Sequence, residues 1–403
     1  MSAKEDIKEI FLYALNSVLP KNVFKEYKEL FSKRDFYLFG SGKAAYESAK
    51  AVEEIAIDRI KEGFVVCSYE GELKKTEVFK SSHPFPSQKS VKAAEILTGK
   101  LKELKEDDFF IYLLSGGTSA LIEKPIPPVT LEEFAQVTKL LLLKSASIDE
   151  INSVRKRLSL IKGGKLGNFT KAKGIVLVIS DVIGDDLSTI GSAPFYHDRQ
   201  SFEDPLLVLQ KYDLLQKVPK SVKEVIKQKT EFKENKNIRH IIVANNQKAL
   251  KAAQTKAEDL GYVSKIVTDS LKGDVKEVSK FLLQEARENK ISLLFGGETT
   301  VEVKGKGKGG RNQELALRVL KGMTKEDNFT FLSAGSDGID GNSDVAGAVV
   351  DLLLKEKAEK LKLDIEGFLK NNDSNGFFKK CGGIFKTSPT GTNVMDICII
   401  LKE

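Results

Sequence analysis

Four apolar strands that each run straight into a glycine-rich turn constrain this chain more than any other feature. They are LFGSGKAA at 38–45, LLSGGTSAL at 113–121, LFGGETT at 294–300 and FLSAGSDG at 331–338. Glycine accepts backbone conformations that other residues avoid, so a strand ending in glycine can turn sharply into a helix. In a parallel sheet the carboxyl ends of the strands line the ligand crevice. One such turn is punctuation, whereas four in one chain point to a site.

Between these turns the sequence alternates. Apolar runs at 36–39, 64–67, 109–114 and 174–179 are predicted as strands, with helices opening near 43 and 88. Thr130 and Ser147 each carry a glutamate three residues on, the capping-box pattern of a helix start. Strand, helix, strand implies an α/β fold with a parallel sheet covered on both faces. Before it, Ile7, Ile10, Phe11, Ala14, Leu15 and Val18 recur at helical spacing until Pro20. At 403 residues two domains are expected. The lysine-rich stretch 217–236 has few apolar anchors, and the boundary is placed there, giving domains at 1–235 and 236–403. The second is again α/β, with strands at 238–244, 262–267, 292–295 and 329–332 and helices at 247–260 and 275–288.

Composition excludes several classes. The excess of 64 basic over 57 acidic residues is small and both signs are interspersed, which favours anionic small ligands over nucleic acid. Cys67, Cys381 and Cys398 have neither disulfide nor metal-site spacing. The N-terminus is charged from the start, and no apolar run approaches the ~18 residues of a spanning helix. A cytoplasmic protein with no membrane partner is expected.

The turns carry chemistry. Gly40, Ser41 and Gly42 precede Lys43, and a glycine turn entering a helix presents N–H groups to an anion while the lysine adds a point charge. Ser115, Gly116, Gly117 and Ser119 form a second candidate cradle. Gly40, Gly42 and Ala45 also fit the GxGxxA dinucleotide fingerprint, but the acidic partner expected about 20 residues on is missing at that distance, Glu70 lying further away. In SDVIGDD, Asp181 and Asp185 follow a strand, where carboxylates suit Mg²⁺ shared with nucleotide phosphates or take a proton from an attacking hydroxyl. GGETTVEVKGKGKGGRNQE, read as a strand pair leading through a basic loop into a helix, contributes Gly297 and Glu298. Its Gly309, Gly310, Arg311 and Asn312 would offer backbone donors and a guanidinium fork to a transferring phosphoryl group. Asp337 and Asp340 in SAGSDGIDG, and Thr390, Thr392, Asn393 and Asp396 in PTGTNVMD, could add metal or nucleotide contacts. His83, in the proline-stiffened SSHPFPS, could reach a ligand, while His197 and His240 read as surface or strand-end residues.

Taken in order, GSGKAA, SSHPFPS, SGGTSAL, NSVRKRLSLIKGGKL, SDVIGDD, IGSAPF, the GGETT to GGRNQE stretch, SDGIDGNSDVAGA and TGTNVMD resemble the glycerate kinases whose C-terminal portion is called the MOFRL domain, from about 38 to 398. The resemblance implies phosphorylation of D-glycerate by ATP with a divalent metal, usually to 2-phosphoglycerate. It implies a Rossmann-like N-terminal domain and a smaller α/β domain, with the site in the cleft between them. It also implies functional roles for Lys43, for Asp181 or Asp185, and for Arg311. SDGIDGNSD stands where the family more often shows TDGIDGPTD, and SAP where SGP is common; neither change removes a charge. Two rivals stay open: an NAD(P)-dependent hydroxypyruvate reductase, a label some relatives have carried, and a non-catalytic sensor of phosphorylated sugars. Glycerate and ATP are the partners implied, and a homodimer is left open.

Overall fold

Apolar runs closed by glycine become the inner strands of the first sheet. The computed structural model describes residues 2–197, 204–228 and 235–402. In it β1 (Phe36–Ser41), β2 (Ile60–Cys67), β3 (Thr76–Lys80), β4 (Phe109–Ser115), β5 (Lys173–Ile179) and β6 (Ile238–Ala244) are ordered β3-β2-β1-β4-β5-β6. The pairs from β3 through β5 are parallel. Leu38 and Phe39 in β1 and Phe110, Ile111 and Tyr112 in β4 are all buried, as strands covered on both faces require. This is the doubly wound order, whose direction reverses between β1 and β4. The turns that follow those two strands therefore stand side by side at the switch point. Both capping boxes, at Thr130 and Ser147, form.

The second sheet contains β7 (Ser264–Asp274), β8 (Ser292–Thr300), β9 (Phe329–Gly335), β10 (Gly347–Val350), β11 (Ile384–Phe385) and β12 (Asp396–Lys402), ordered β11-β10-β9-β12-β8-β7. Only β7 and β8 pair in parallel; β8, β12, β9, β10 and β11 alternate in direction. The helices Val275–Glu288 and Arg311–Gly322 bury Leu282, Leu317 and Leu320 in a core shared with Phe295, Phe331 and Ile400. Each such side chain contributes roughly 1.5–3 kcal/mol by leaving water. The strand pair expected in GGETT to GGRNQE is a single strand, β8, followed by a loop without strand structure.

The chain divides into two compact units. One comprises Phe24–Ser180 with Asp185–Val243; the other comprises Met1–Val23, Asp181–Gly184 and Ala244–Glu403. A single cut near 235 differs from this division in three ways, the first being that Asp181–Gly184 belongs with the second unit. β6 runs beyond 235 because it completes the first sheet. The N-terminal helix Ala3–Ser17 belongs with the second unit, where the Tyr262 hydroxyl donates to Asp6 at 2.7 Å and Phe11 meets Phe385 edge-on at 5.0 Å. Of the lysine-rich stretch, Lys220–Lys227 is helical, and residues 229–234 lie outside the described ones. No helix among the described residues is long and apolar enough to cross a membrane.

Candidate active site

At the switch point the turn after β1 is stitched to the turn after β4. The Lys43 N–H donates to the Gly116 carbonyl at 2.8 Å, the Ala44 N–H to Ser115 Oγ at 3.0 Å, and the Gly42 N–H to the Val66 carbonyl at 3.1 Å. Beneath them Thr118 Oγ1 donates to the Ser41 carbonyl at 2.8 Å, and Ser41 Oγ meets the Tyr112 hydroxyl at 2.6 Å. The donors expected at 40–45 to hold an anion thus point into the protein. Gly40, Ser41 and Ser115 are buried fasteners rather than ligand contacts. Gly42 is needed for the close approach: at φ +128°, a Cβ would sit 2.1 Å from Ser115 Oγ.

The second turn behaves differently. Gly117 adopts the left-handed conformation at φ +84°, and the N–H groups of Gly117, Thr118 and Ser119 have no acceptor among the described residues. Two side chains lie over it. A Cβ on Gly117 would be 3.2 Å from Lys43 Cγ and 3.2 Å from both Cδ2 and Nε2 of His83. The SSHPFPS loop is pinned there, because Ser81 donates through its N–H to the Cys67 carbonyl (2.8 Å) and through its hydroxyl to the Leu121 carbonyl (2.7 Å). Ser87 then caps the helix Gln88–Glu103. Desolvation and then the Lys43 charge push the His83 imidazole below its ordinary 6.5, so it is neutral at pH 7.

Behind the same turn lies a group of cations that the sequence reading did not single out. Lys162 Nζ donates to the Ser119 carbonyl at 2.9 Å, and Arg155 Nη2 reaches the same oxygen at 3.2 Å. Lys162 also lies 3.1 Å from Glu123 Oε2, with side chains 2% and 0% exposed, although that contact is out of hydrogen-bond alignment. Glu123 Oε1 accepts from Ser159 Oγ (2.6 Å) and the Lys124 N–H (3.0 Å). Lys165 donates to the carbonyls of Lys156 and Ser159. Burial, reinforced by Arg155 and opposed by Glu123, lowers the Lys162 ammonium to about 8. The one available signal was a charged residue directly after an apolar run, in LSLIK and ALIE.

In the other unit the helix Arg311–Gly322 starts on buried acids. Arg311 donates from Nε to Asp396 Oδ2 (2.5 Å) and from Nη2 to Asp396 Oδ1 (3.0 Å), while Nη1 pairs with Glu298 at 2.7 Å. Burial works against the guanidinium charge, but Asp396 and then Glu298 override it and raise its pKa. Asp340 accepts the N–H groups of Asn312 and Gln313, each at 2.9 Å. Gly310 allows that approach, since a Cβ there would lie 2.3 Å from Asp340 Oδ1.

The basic loop before this helix is not a phosphate cradle. The N–H groups of Lys304 and Gly305 donate to Asn372 Oδ1, that of Lys306 to Asn371 Oδ1, that of Lys308 to Asp373 Oδ1 and that of Gly309 to Asn342 Oδ1. The loop is laced to its neighbours by its backbone, which leaves its lysine side chains outside. Asn312 is buried, its amide donating to Asp396 and accepting from Ser333. Glu298 is a partner of Arg311, and Gly297 packs its backbone against Leu271. Thr392 is 2% exposed and donates to the Val18 carbonyl at 3.0 Å, which makes it a tie for the N-terminal segment.

The aspartates separate. Asp181 belongs to the unit of Arg311, where Asn393 Nδ2 approaches its Oδ2 at 3.4 Å, and Asp185 belongs to the other unit. Asp337 follows β9, one oxygen accepting from the Ile339 N–H at 3.1 Å. Among the described residues no three His, Cys, Asp or Glu side chains assemble a metal cage. Mg²⁺ asks for less, since it is held by one or two carboxylates with phosphates and water. Asp181 and Asp337 are hard oxygen donors of that kind, and Asp396 and Asp340 are held to the Arg311 helix.

Two family models match different parts of the chain. Residues 6–227 match a family described as a domain of unknown function, DUF4147, and residues 291–396 match the MOFRL family. The D-glycerate 2-kinase of Thermotoga maritima is 38% identical over 97% of this chain and 96% of its own length. The glycerate 2-kinase of Pyrococcus horikoshii is 38% identical over 93% and 89%. A crystal structure of the Thermotoga maritima glycerate kinase superposes with a TM-score of 0.92, covering 99% of each chain.

Proposed function

Because this chain belongs to the family of glycerate kinases with a C-terminal MOFRL domain, we propose that it transfers the γ-phosphoryl group of ATP to a hydroxyl of D-glycerate, giving 2-phosphoglycerate with Mg²⁺ as the accompanying ion. The observation that carries this reading is Lys43 laid across a turn whose N–H groups at Gly117, Thr118 and Ser119 have no acceptor among the described residues. Those groups suit a phosphate or carboxylate, and the lysine supplies the opposing charge. Arg311 offers the planar fork that matches phosphoryl oxygens, oriented by Asp396. Asp181 or Asp337 would hold Mg²⁺, which when bound screens the charge of the nucleotide phosphates.

The reductase reading loses its footing at Gly42. A dinucleotide fingerprint needs its second glycine open to the pyrophosphate, but the N–H groups of Gly42, Lys43 and Ala44 are engaged and Ser115 fills the space above Gly42. ADP formation is therefore expected only when D-glycerate and Mg²⁺ are both present, with no NADH oxidation on hydroxypyruvate; the reverse pattern overturns the proposal. Phosphorus NMR of the product fixes which hydroxyl is phosphorylated.

Lys43→Ala tests the cradle directly. Losing one preorganised charge-stabilising group costs about 10²–10³ in kcat. Lys43 is only part-buried, so the thermal midpoint is expected to stay put. Near-normal turnover would leave Lys43 as a surface lysine.

A further inference from the structure

We propose that His83 is the base that removes the proton from the substrate hydroxyl as it attacks phosphorus; this rests on the phosphoryl-transfer reading above. The ring lies on the Gly117 turn, with Cδ2 and Nε2 each 3.2 Å from where a Gly117 Cβ would be and with the Lys43 stem at the same point. It therefore stands over the open N–H groups that would hold the anion. A base acts only within hydrogen-bond reach of the proton it takes, so position is the first requirement.

Availability is the second requirement. Neither ring nitrogen has a hydrogen-bond partner among the described residues, and His83 is open to solvent. A histidine kept for structure commonly donates to a carbonyl or carboxylate, and this one does not. The charged group acting on it is Lys43, with no carboxylate contributing. The imidazole is accordingly neutral, with a lone pair free, through the physiological range. Its loop is anchored at both ends, by Ser81 to the Leu121 carbonyl and by the 2.6 Å contact of Ser82 with Ser87, so the backbone that carries the ring is held beside the Gly117 turn.

In the step itself a ring nitrogen of His83 accepts the hydroxyl proton while the new O–P bond forms. The bond from the γ-phosphorus to the bridging oxygen breaks, and ADP leaves with that electron pair. The imidazolium, disfavoured beside Lys43, then returns its proton to solvent. No co-reactant beyond the nucleotide and the hydroxy acid is required.

The experiment compares wild type, His83→Gln and His83→Ala in the full chain, after thermal melts have established that the variants fold. In His83→Gln, kcat is expected to fall by about 10²–10⁴, with KM for D-glycerate and for ATP nearly unchanged. The acid limb of kcat/KM in wild type, with its midpoint below 6.5, is expected to vanish in His83→Gln. Added imidazole is expected to restore part of the His83→Ala activity. A kcat close to wild type, a persisting acid limb, or a loss confined to KM for glycerate each overturns the assignment. Wild type without glycerate-dependent ADP formation would instead sink the phosphoryl-transfer reading, so the two failures are told apart.

Discussion

Arg311→Ala is expected to lower kcat by about three to five orders of magnitude, the range for an arginine that neutralises a transferring phosphoryl group, in a steady-state assay of ADP release. The geometry says which part of the fork is exchangeable. Asp396, only 6% exposed, holds Nε and Nη2 side by side, whereas Glu298, 45% exposed, holds Nη1. An incoming phosphoryl oxygen can displace the exposed carboxylate while the buried one keeps the guanidinium aimed. Alanine removes the fork and leaves both carboxylates facing the proposed phosphoryl position. Arg311→Lys retains the charge but not the two parallel donors, so its loss should be intermediate. If Arg311→Ala keeps more than a tenth of wild-type turnover per folded molecule, Arg311 is a structural partner of Asp396 and no more.

What the sequence could and could not disclose follows from the range of the interactions. The strands after which the glycine turns occur are local events, marked by apolar runs and by turns that only glycine makes easily. The alternation implies a parallel sheet, while their side-by-side placement follows from the strand order that the fold adopts. The direction in which a turn's polar groups face is set by residues far away. Ser41 and Ser115 look like cradle hydroxyls in isolation, but Tyr112 and Ala44 claim them. The N–H groups of the basic loop look available until 371–373 is folded against them, and Asp340 caps a helix 28 positions earlier in the chain. Thr392 is claimed in the same way, its hydroxyl donating to the Val18 carbonyl. Composition offers no hint of such pairings. The mixed second sheet was equally hidden, since short strands such as GAVV and IF carry too little pattern to show direction.

The buried cations behind the Gly117 turn support the second large expectation. Glu123→Ala should lower the free energy of unfolding by about 3–5 kcal/mol, as breaking one side of a buried pair does, read from urea denaturation followed by a signal from the first unit. The reason is the orphaned Lys162, which is 2% exposed and would keep only the Ser119 carbonyl as a close acceptor. The pair need not be stabilising in itself for this to hold, because removing both charges together is often close to neutral. Glu123→Gln combined with Lys162→Met should therefore recover most of the loss, the amide oxygen still accepting from Ser159 and the Lys124 N–H. Direction in pH gives an independent check. The Lys162 amine falls from 10.5 unfolded to about 8 folded, so between those values the unfolded chain binds more protons and stability rises with pH. That rise should be smaller in the double variant, with Lys165, also lowered to about 8, supplying what remains. A Glu123→Ala protein as stable as wild type would mean that water reaches Lys162, and the turn carrying Ser119 would then rest on something other than this pair.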